Sequence, residues 1–478
     1  MTVSDLNALL PLIIIAAAAI ILMAAIAVRR NHQLSFLIAA LGAVSALISL
    51  PAVSSSAPHQ ATGLFIVDSY SLLFTGLILA GSFITLIFSY ERIESQAGFK
   101  EEYYLLLLLA TLGSIALVSA AHFISFFLGL EILSVSLYAL ISYERSDAAA
   151  IGAGIKYLVL ASVSAGFLLF GLALIYFETG TMEFARTSFP AAMGSVNIML
   201  FAGYALVFVG IGFKLGIVPF HMWTPDVYDG APTPISAFIA SVSKGAVLGL
   251  LLRYAGKAGI PAGTSLFTVI SLVAAGSMIA GNLLALFEDR VRRILAYSSI
   301  SHMGYMLTAF LAGGALASAA VAFYLAAYFV TIFAAFGTLV MMNQGNARAD
   351  RISDFRSLAW KQPWQAGVFI ASLFSLAGIP MTAGFTAKFY VIYAGAKSGL
   401  WTLLIIVAAS SVIGLFYYLR VIIAMFEHYD ADEATDTPRI PVKNASAVTM
   451  AVLLLFLVLL GVWPGPVIQM IADLAVIR

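Results

Sequence analysis

The sequence predicts an all-α, polytopic membrane protein of about 14 transmembrane helices. Three observations point that way. Of 478 residues, 62% are hydrophobic and only 10% charged, against roughly 25% charged in a soluble domain. Apolar runs of about 20 residues recur along the whole chain, each long enough to cross ~30 Å of hydrocarbon as a helix. Period-2 alternation is weak while Ala, Leu and Gly dominate, which argues against a transmembrane barrel.

The runs fall at 6–28, 34–53, 68–90, 103–120, 123–143, 152–177, 200–223, 233–256, 264–286, 292–312, 315–343, 365–396, 399–427 and 444–475. The first has no basic flank and no convincing A-x-A site, so it reads as a helix and not a cleaved signal peptide. An even number of spans with the N-terminus outside puts 14 loop Lys and Arg residues inside, from Arg29 to Lys443. Only Arg186, Lys257, Lys397 and Arg478 then lie outside. This asymmetry predicts that both termini are on the outer side.

The connections 178–199, 344–364 and 428–443 are too short for a soluble core, so 1–478 reads as one membrane domain. It divides into N-terminal helices (1–100), two repeats (101–260 and 261–430) and a C-terminal helix (431–478). The repeats follow from two spans expected to break near mid-membrane. Span seven reads GIGFKLGIVPFHMW, with Lys214 before Pro219, and span twelve reads LAGIPMTAGFTAKFY, with Gly378, Pro380 and Gly384 before Lys388. Proline removes a donor and blocks the preceding turn. The breaks lie five helices apart, an odd number, so spans 4–8 and 9–13 are candidate inverted repeats.

Some chemistry is excluded. The chain has no cysteine, which removes thiolate-held clusters, zinc–thiolate sites and disulfides. No Walker A sequence is present, so ATP does not drive it directly. Gly210, Gly212 and Gly216 miss the dinucleotide spacing and read as helix packing. No histidine pair is placed to ligate haem, and nothing suggests a nucleic-acid partner.

The informative residues are charges inside apolar stretches: Glu131, Lys214, Lys244 and Lys388. A charge at that depth costs several kcal/mol and marks an ion path or proton relay. Glu131, Lys244 and Lys214 lie ~12, ~16 and ~21 Å from a span edge, and His302 ~15 Å from Arg292–Arg293. They are expected to form a row parallel to the membrane plane. Paired with Glu131, Lys214 would keep its proton; apart, it could release it. Lysine offers no oxygen ligand to Na⁺, so protons are the expected cargo. The alternative is a static salt bridge, which leaves Lys244 and Lys388 without acids of their own.

Weaker candidates surround this row. Glu144 and Lys156, at inner span ends, either pass protons inward or snorkel. His221 and His302 either bridge lysines or serve as hydrogen-bonded structural histidines. Arg253 and Arg420 are expected to snorkel, and Asp226 and Asp229 to cap span eight.

The residues then carry a resemblance. GFKLGIVPFHMWTPDVYDGAPTPISAFIASVSKGA, with Lys214 and Lys244, is similar to the central signature of the antiporter-like membrane subunits of respiratory complex I. RRILAYSSISHMGYML around His302, LAGIPMTAGFTAKFYV around Lys388 and GLEILSVSLYALISY around Glu131 resemble the same family, over nearly the whole chain. The resemblance implies 14 helices with two inverted five-helix repeats. It also implies roles: Glu131 and Lys214 as coupling pair, Lys244 as central relay, Lys388 as terminal group near the exit. Lysine at 388 favours the N type, since M-type relatives and the Na⁺/H⁺ antiporter subunits usually carry glutamate there. The L type's long lateral C-terminal helix has no counterpart in this sequence.

The expected function is therefore proton translocation in a bacterial inner-membrane NADH–quinone oxidoreductase. Flavin, iron–sulfur clusters and quinone are expected on partner subunits, with none on this chain. The expected partners of the chain itself are other complex I membrane subunits, lipid, protons and water. The rival readings are a subunit of a multisubunit Na⁺/H⁺ antiporter and of a ferredoxin- or F420H2-linked pump.

Overall fold

The computed structural model describes residues 2–96, 98–187, 198–256, 260, 262–343, 350–427 and 444–475. In chain order the helices begin with α1 (Val3–Ala8), α2 (Leu10–Val28), α3 (His32–Ser54), α4 (Ser69–Ser95), α5 (Glu101–Val118), α6 (Phe123–Ile141) and α7 (Ala148–Thr179). They continue with α8 (Ile198–Leu215), α9 (Thr224–Gly230), α10 (Thr233–Phe238), α11 (Lys244–Gly256), α12 (Ser265–Leu286), α13 (Val291–Ala312) and α14 (Gly314–Met342). The last are α15 (Leu358–Lys361), α16 (Pro363–Ala377), α17 (Ala383–Lys397), α18 (Trp401–Phe426), α19 (Asn444–Val462) and α20 (Gly465–Leu474).

The all-α membrane architecture expected from composition is what forms. Among the described residues, twelve helices are long and apolar enough to cross a bilayer. The expected fourteen would add α13, which opens on Arg292 and Arg293, and the interrupted pair α16–α17. Helices α11, α13 and α14 are buried nearly throughout. By contrast α2, α7, α12, α18 and α19 turn residues such as Ile20, Phe170, Leu272, Ile405 and Leu455 outward. With lipid as solvent this is the expected sorting: apolar faces outside, polar groups packed between helices.

Small residues set the closest approaches. Gly113 of α5 meets Gly129 and Leu133 of α6, and a Cβ at Gly113 would stand 2.6 Å from the Leu133 nitrogen. Backbones this close pack without side chains between them.

Three details depart from the sequence expectation. The run 444–475 is two helices, because Pro464 and Pro466 flank the start of α20 and proline suits only a helix's first turn. A hairpin of β1 (His59–Ala61) and β2 (Phe65–Val67) fills the α3–α4 connection, turning through Thr62 and Gly63 at positive φ. It is pinned to the α5–α6 connection by Ile66 N–H to Ser119 O, 2.8 Å. Last, a π-helical turn at Ile239–Ser243 immediately precedes Lys244, the kind of local expansion often found at functional sites. Lys257, Arg348, Arg439, Lys443 and Arg478, used in the charge count, lie outside the described residues.

Candidate functional site

Both expected breaks form. Helix α8 stops at Leu215, and Gly216 follows at φ +65°. The Phe213 carbonyl freed there accepts from Trp223 Nε1 at 2.8 Å, and Val218 N–H donates to Ser277 Oγ at 3.0 Å. Helix α16 stops at Ala377, and Gly378 follows at φ +84°. Left-handed backbone at both points suits glycine. Gly384 N–H restarts the chain by donating to Ser375 Oγ at 2.9 Å.

Lys214, Lys244 and Lys388 are all buried. Lys214 occupies the last turn of α8, where the helix dipole favours a cation. It does not ion-pair with Glu131. Its Nζ donates instead to Ser134 Oγ at 2.6 Å, and the Tyr157 ring centroid lies 5.2 Å away. Ser134 stands three residues after Glu131, on the same face of α6. Glu131 is half-buried, and its Oε1 has no hydrogen-bond partner. Where the sequence suggests a direct ion pair, the Lys214 amine is bonded to a serine on the helix that carries the acid.

The lysine against the first break is Lys244, arriving from the next span. A Cβ on Gly216 would lie 3.3 Å from Lys244 Nζ. This ammonium donates to Ser299 Oγ (2.8 Å) and faces the rings of Tyr228 (5.5 Å) and Trp223 (6.0 Å). Ser299, His302 and Tyr305 recur every three residues along one face of α13. His302 Nδ1 shares a 2.7 Å hydrogen bond with Tyr324 Oη, and its ring packs 5.5 Å from Tyr305 and 5.2 Å from Tyr328. Tyr305 lies 5.2 Å below Lys388 Nζ. One helix face therefore runs from the Lys244 ammonium to the Lys388 ammonium. Among the described residues, no carboxylate comes within ion-pair distance of any of the three lysines.

The accessory residues sit apart from this row. Glu144 is held by the Arg92 guanidinium, with Nη2 at 2.7 Å, and borders a cavity of about 910 Å³ shared with Glu102, Tyr143 and Arg145. Lys156 is exposed and ion-paired with Asp226. His221 lies half-buried in the turn after the first break, its Nδ1 without a partner, and reaches no lysine.

Several expectations for the flanking charges are corrected. The start of α10 is Pro232 with no side-chain cap, and the two acids face arginines: Asp226 also accepts from Arg293 (2.8 Å), and Asp229 from Arg290 (2.6 Å). Burial opposes ionisation of Asp226, yet the bonds from Lys156 and Arg293 outweigh it and hold the carboxyl below its usual range. Arg253 does not snorkel. It is buried, donating to Asp68 at 2.7 and 3.1 Å and to Val118 O at 2.9 Å. Arg420 anchors the end of α12 through Leu286 O (2.6 Å), Glu288 O (2.9 Å) and Asp289 (2.8 Å).

Ser134, Ser299 and Tyr305 were not singled out from sequence. The i, i+3 spacing of polar residues in SSISHMGY was the available signal for two of them.

Comparison with known proteins agrees with this architecture. Residues 120–414 match the family model for the transmembrane region of NADH:quinone oxidoreductase and Mrp antiporters. NADH-quinone oxidoreductase subunit N of Methylococcus capsulatus is 42% identical over 99% of this chain and 96% of that protein. Its counterpart in Ectopseudomonas mendocina is 41% identical over 100% of this chain and 98% of that one. A chain of respiratory complex I from Thermus thermophilus superposes with TM-score 0.82 at 32% identity, covering 96% of this chain and 98% of that one. This chain therefore belongs to the NADH:quinone oxidoreductase/Mrp antiporter membrane-subunit family, among its subunit N relatives.

Proposed function

We propose that this chain is a proton-translocating module of a type I NADH–quinone oxidoreductase in a bacterial inner membrane. Protons enter from the arginine-rich side and pass along Glu131, Lys214, Lys244, His302 and Lys388. The single observation carrying this reading is three buried lysine amines whose hydrogen-bond partners are neutral oxygens. Buried charges without counterions cost several kcal/mol and persist where function requires them. A lysine held by a serine can give its proton up and take it back without breaking an ion pair.

In this reading NADH oxidation and quinone reduction occur on partner subunits, which hold the flavin and iron–sulfur clusters. Their work reaches this chain as a change around Glu131 that shifts its influence on Lys214. Each proton moved against 100 mV requires ~2.3 kcal/mol, which sets the least this change must deliver. Both termini are on the outer side, and the two five-helix units around the breaks are inverted repeats.

The test is Lys214→Ala in the assembled complex reconstituted into vesicles. Proton pumping should fall about tenfold or more, while electron transfer to an artificial acceptor and subunit composition stay unchanged. Normal pumping with an intact complex refutes the relay.

A further inference from the structure

Lys388 is held more completely than the other two lysines. Its Nζ donates to Leu376 O at 2.9 Å, Ala377 O at 2.8 Å and Ser411 Oγ at 2.9 Å, so each of its three N–H groups has an acceptor. The Ser411 hydroxyl donates in turn to Ala377 O at 3.2 Å. Those carbonyls are the freed end of α16, where the helix dipole also favours positive charge. Gly378 leaves the space: a Cβ there would stand 2.9 Å from Lys388 Cδ and 3.2 Å from Nζ.

The fourth side of this seat is the Tyr305 ring, which touches both Lys388 and His302. That ring is itself fixed. Asn282 Nδ2 donates to Tyr305 Oη at 3.3 Å, and Tyr417 Oη donates to Asn282 Oδ1 at 3.0 Å. Asn282 and Tyr417 are buried and have no part in the relay described above.

We propose that Ser411, Asn282 and Tyr417 are positioning residues for Lys388, forming a charge-selective seat at the broken end of α16. The charged ammonium fits because three donors meet three acceptors beside a ring face. The neutral amine fits less well: two of the three oxygens are carbonyls that only accept, and its lone pair is met only if the Ser411 hydroxyl turns away from Ala377 O to donate to it. Loss of the proton thus costs the seat a charge-assisted bond and the Ser411–Ala377 bond, which loosens the side chain, and regaining a proton restores its full hold. Ser411 decides how firmly the charged position is kept; Asn282 and Tyr417 decide whether the ring is present on the His302 side.

This proposal rests on the relay reading, and the experiment separates the two. Ser411→Ala, Ser411→Thr and Tyr417→Phe are introduced into the full complex, and pumped protons per electron pair and coupled turnover are measured in vesicles. Losing one charge-assisted hydrogen bond should slow coupled turnover about tenfold in Ser411→Ala. Ser411→Thr keeps the acceptor and should restore it, whereas Tyr417→Phe should slow turnover about threefold. Wild-type pumping in Ser411→Ala, or a Ser411→Thr complex as slow as Ser411→Ala, overturns the seat. If Ser411→Ala does not assemble, Tyr417→Phe decides, because it removes one oxygen and no volume the packing depends on; normal pumping there overturns the seat. If Lys388→Ala itself pumps normally, the relay reading falls instead.

Discussion

Ser134 and Ser299 serve two different lysines in the same way. Each accepts from a buried ammonium, at 2.6 and 2.8 Å, and each lies three residues from an ionisable group on its own helix, Glu131 and His302 respectively. Removing either hydroxyl leaves a donor unsatisfied in a buried site, a loss of about 1.5–3 kcal/mol for a bond to a charged group. Ser134→Ala should therefore reduce coupled pumping by about tenfold or more, and Ser299→Ala similarly, in complexes of normal composition. Proton uptake per turnover in vesicles checks both. The lysines were legible in the sequence because a charge stands out in an apolar run. The serines were not, because serine is common in membrane helices and usually bonds its own backbone, as Ser134 also does toward Leu130 O. Arg253 was misread for a related reason. Its partner Asp68 is 185 residues away, and no local pattern announces a distant carboxylate. Asp68→Ala strands the guanidinium and should destabilise the fold by about 3–5 kcal/mol, seen as a lower thermal midpoint of the purified complex.

At the scale of elements, the two interruptions were the most readable feature, since glycine and proline act through local backbone geometry. Each break ends a helix before a glycine with positive φ and sets a lysine against that glycine, and at the second break the lysine also bonds the freed carbonyls. What sequence could not assign was which lysine goes where. Lys214 is the one written beside the first break, yet Lys244 lies against it, carried there from the span containing the π turn. Extra residues in a helical turn rotate everything that follows, and hydropathy is blind to that rotation. The close crossing of α5 and α6 offers a test of how the Glu131 face is held. Gly113→Leu would drive a side chain into the backbone of α6, within 2.6 Å at Cβ. The helices must separate, so the variant should fail to assemble, as judged by co-purification of its neighbours, whereas an Ala at exposed Gly152, which meets nothing within 4 Å, should assemble normally.

For the whole molecule, the arginine-rich end is bound into one network. Asp226 of α9 holds Lys156 of α7 and Arg293 of α13, Arg290 holds Asp229, and buried Arg292 reaches Asp229 O (3.2 Å) and Thr233 (2.8 Å). Because the Asp226 carboxyl is held below its ordinary range when folded, it contributes stability above the unfolded value of about 3.9. That contribution is lost as pH falls through the lower folded value. Asp226→Asn should accordingly melt below wild type at neutral pH, with the two curves converging in strong acid. A gap that widens on acidification contradicts the assignment. The membrane class was accessible from composition, but this network was not, since it joins residues across some 70 positions.

A carboxylate that ties α7 and α9 to α13 at once works like a shared rivet. Tilting α13 against α7 and α9 would stretch Lys156 or Arg293 away from Asp226 and pull Arg292 from Asp229 O and Thr233. Rocking of α7 and α9 against α13 would have to break these contacts, the buried Arg292 bonds above all. Swings of single side chains leave all of them in place.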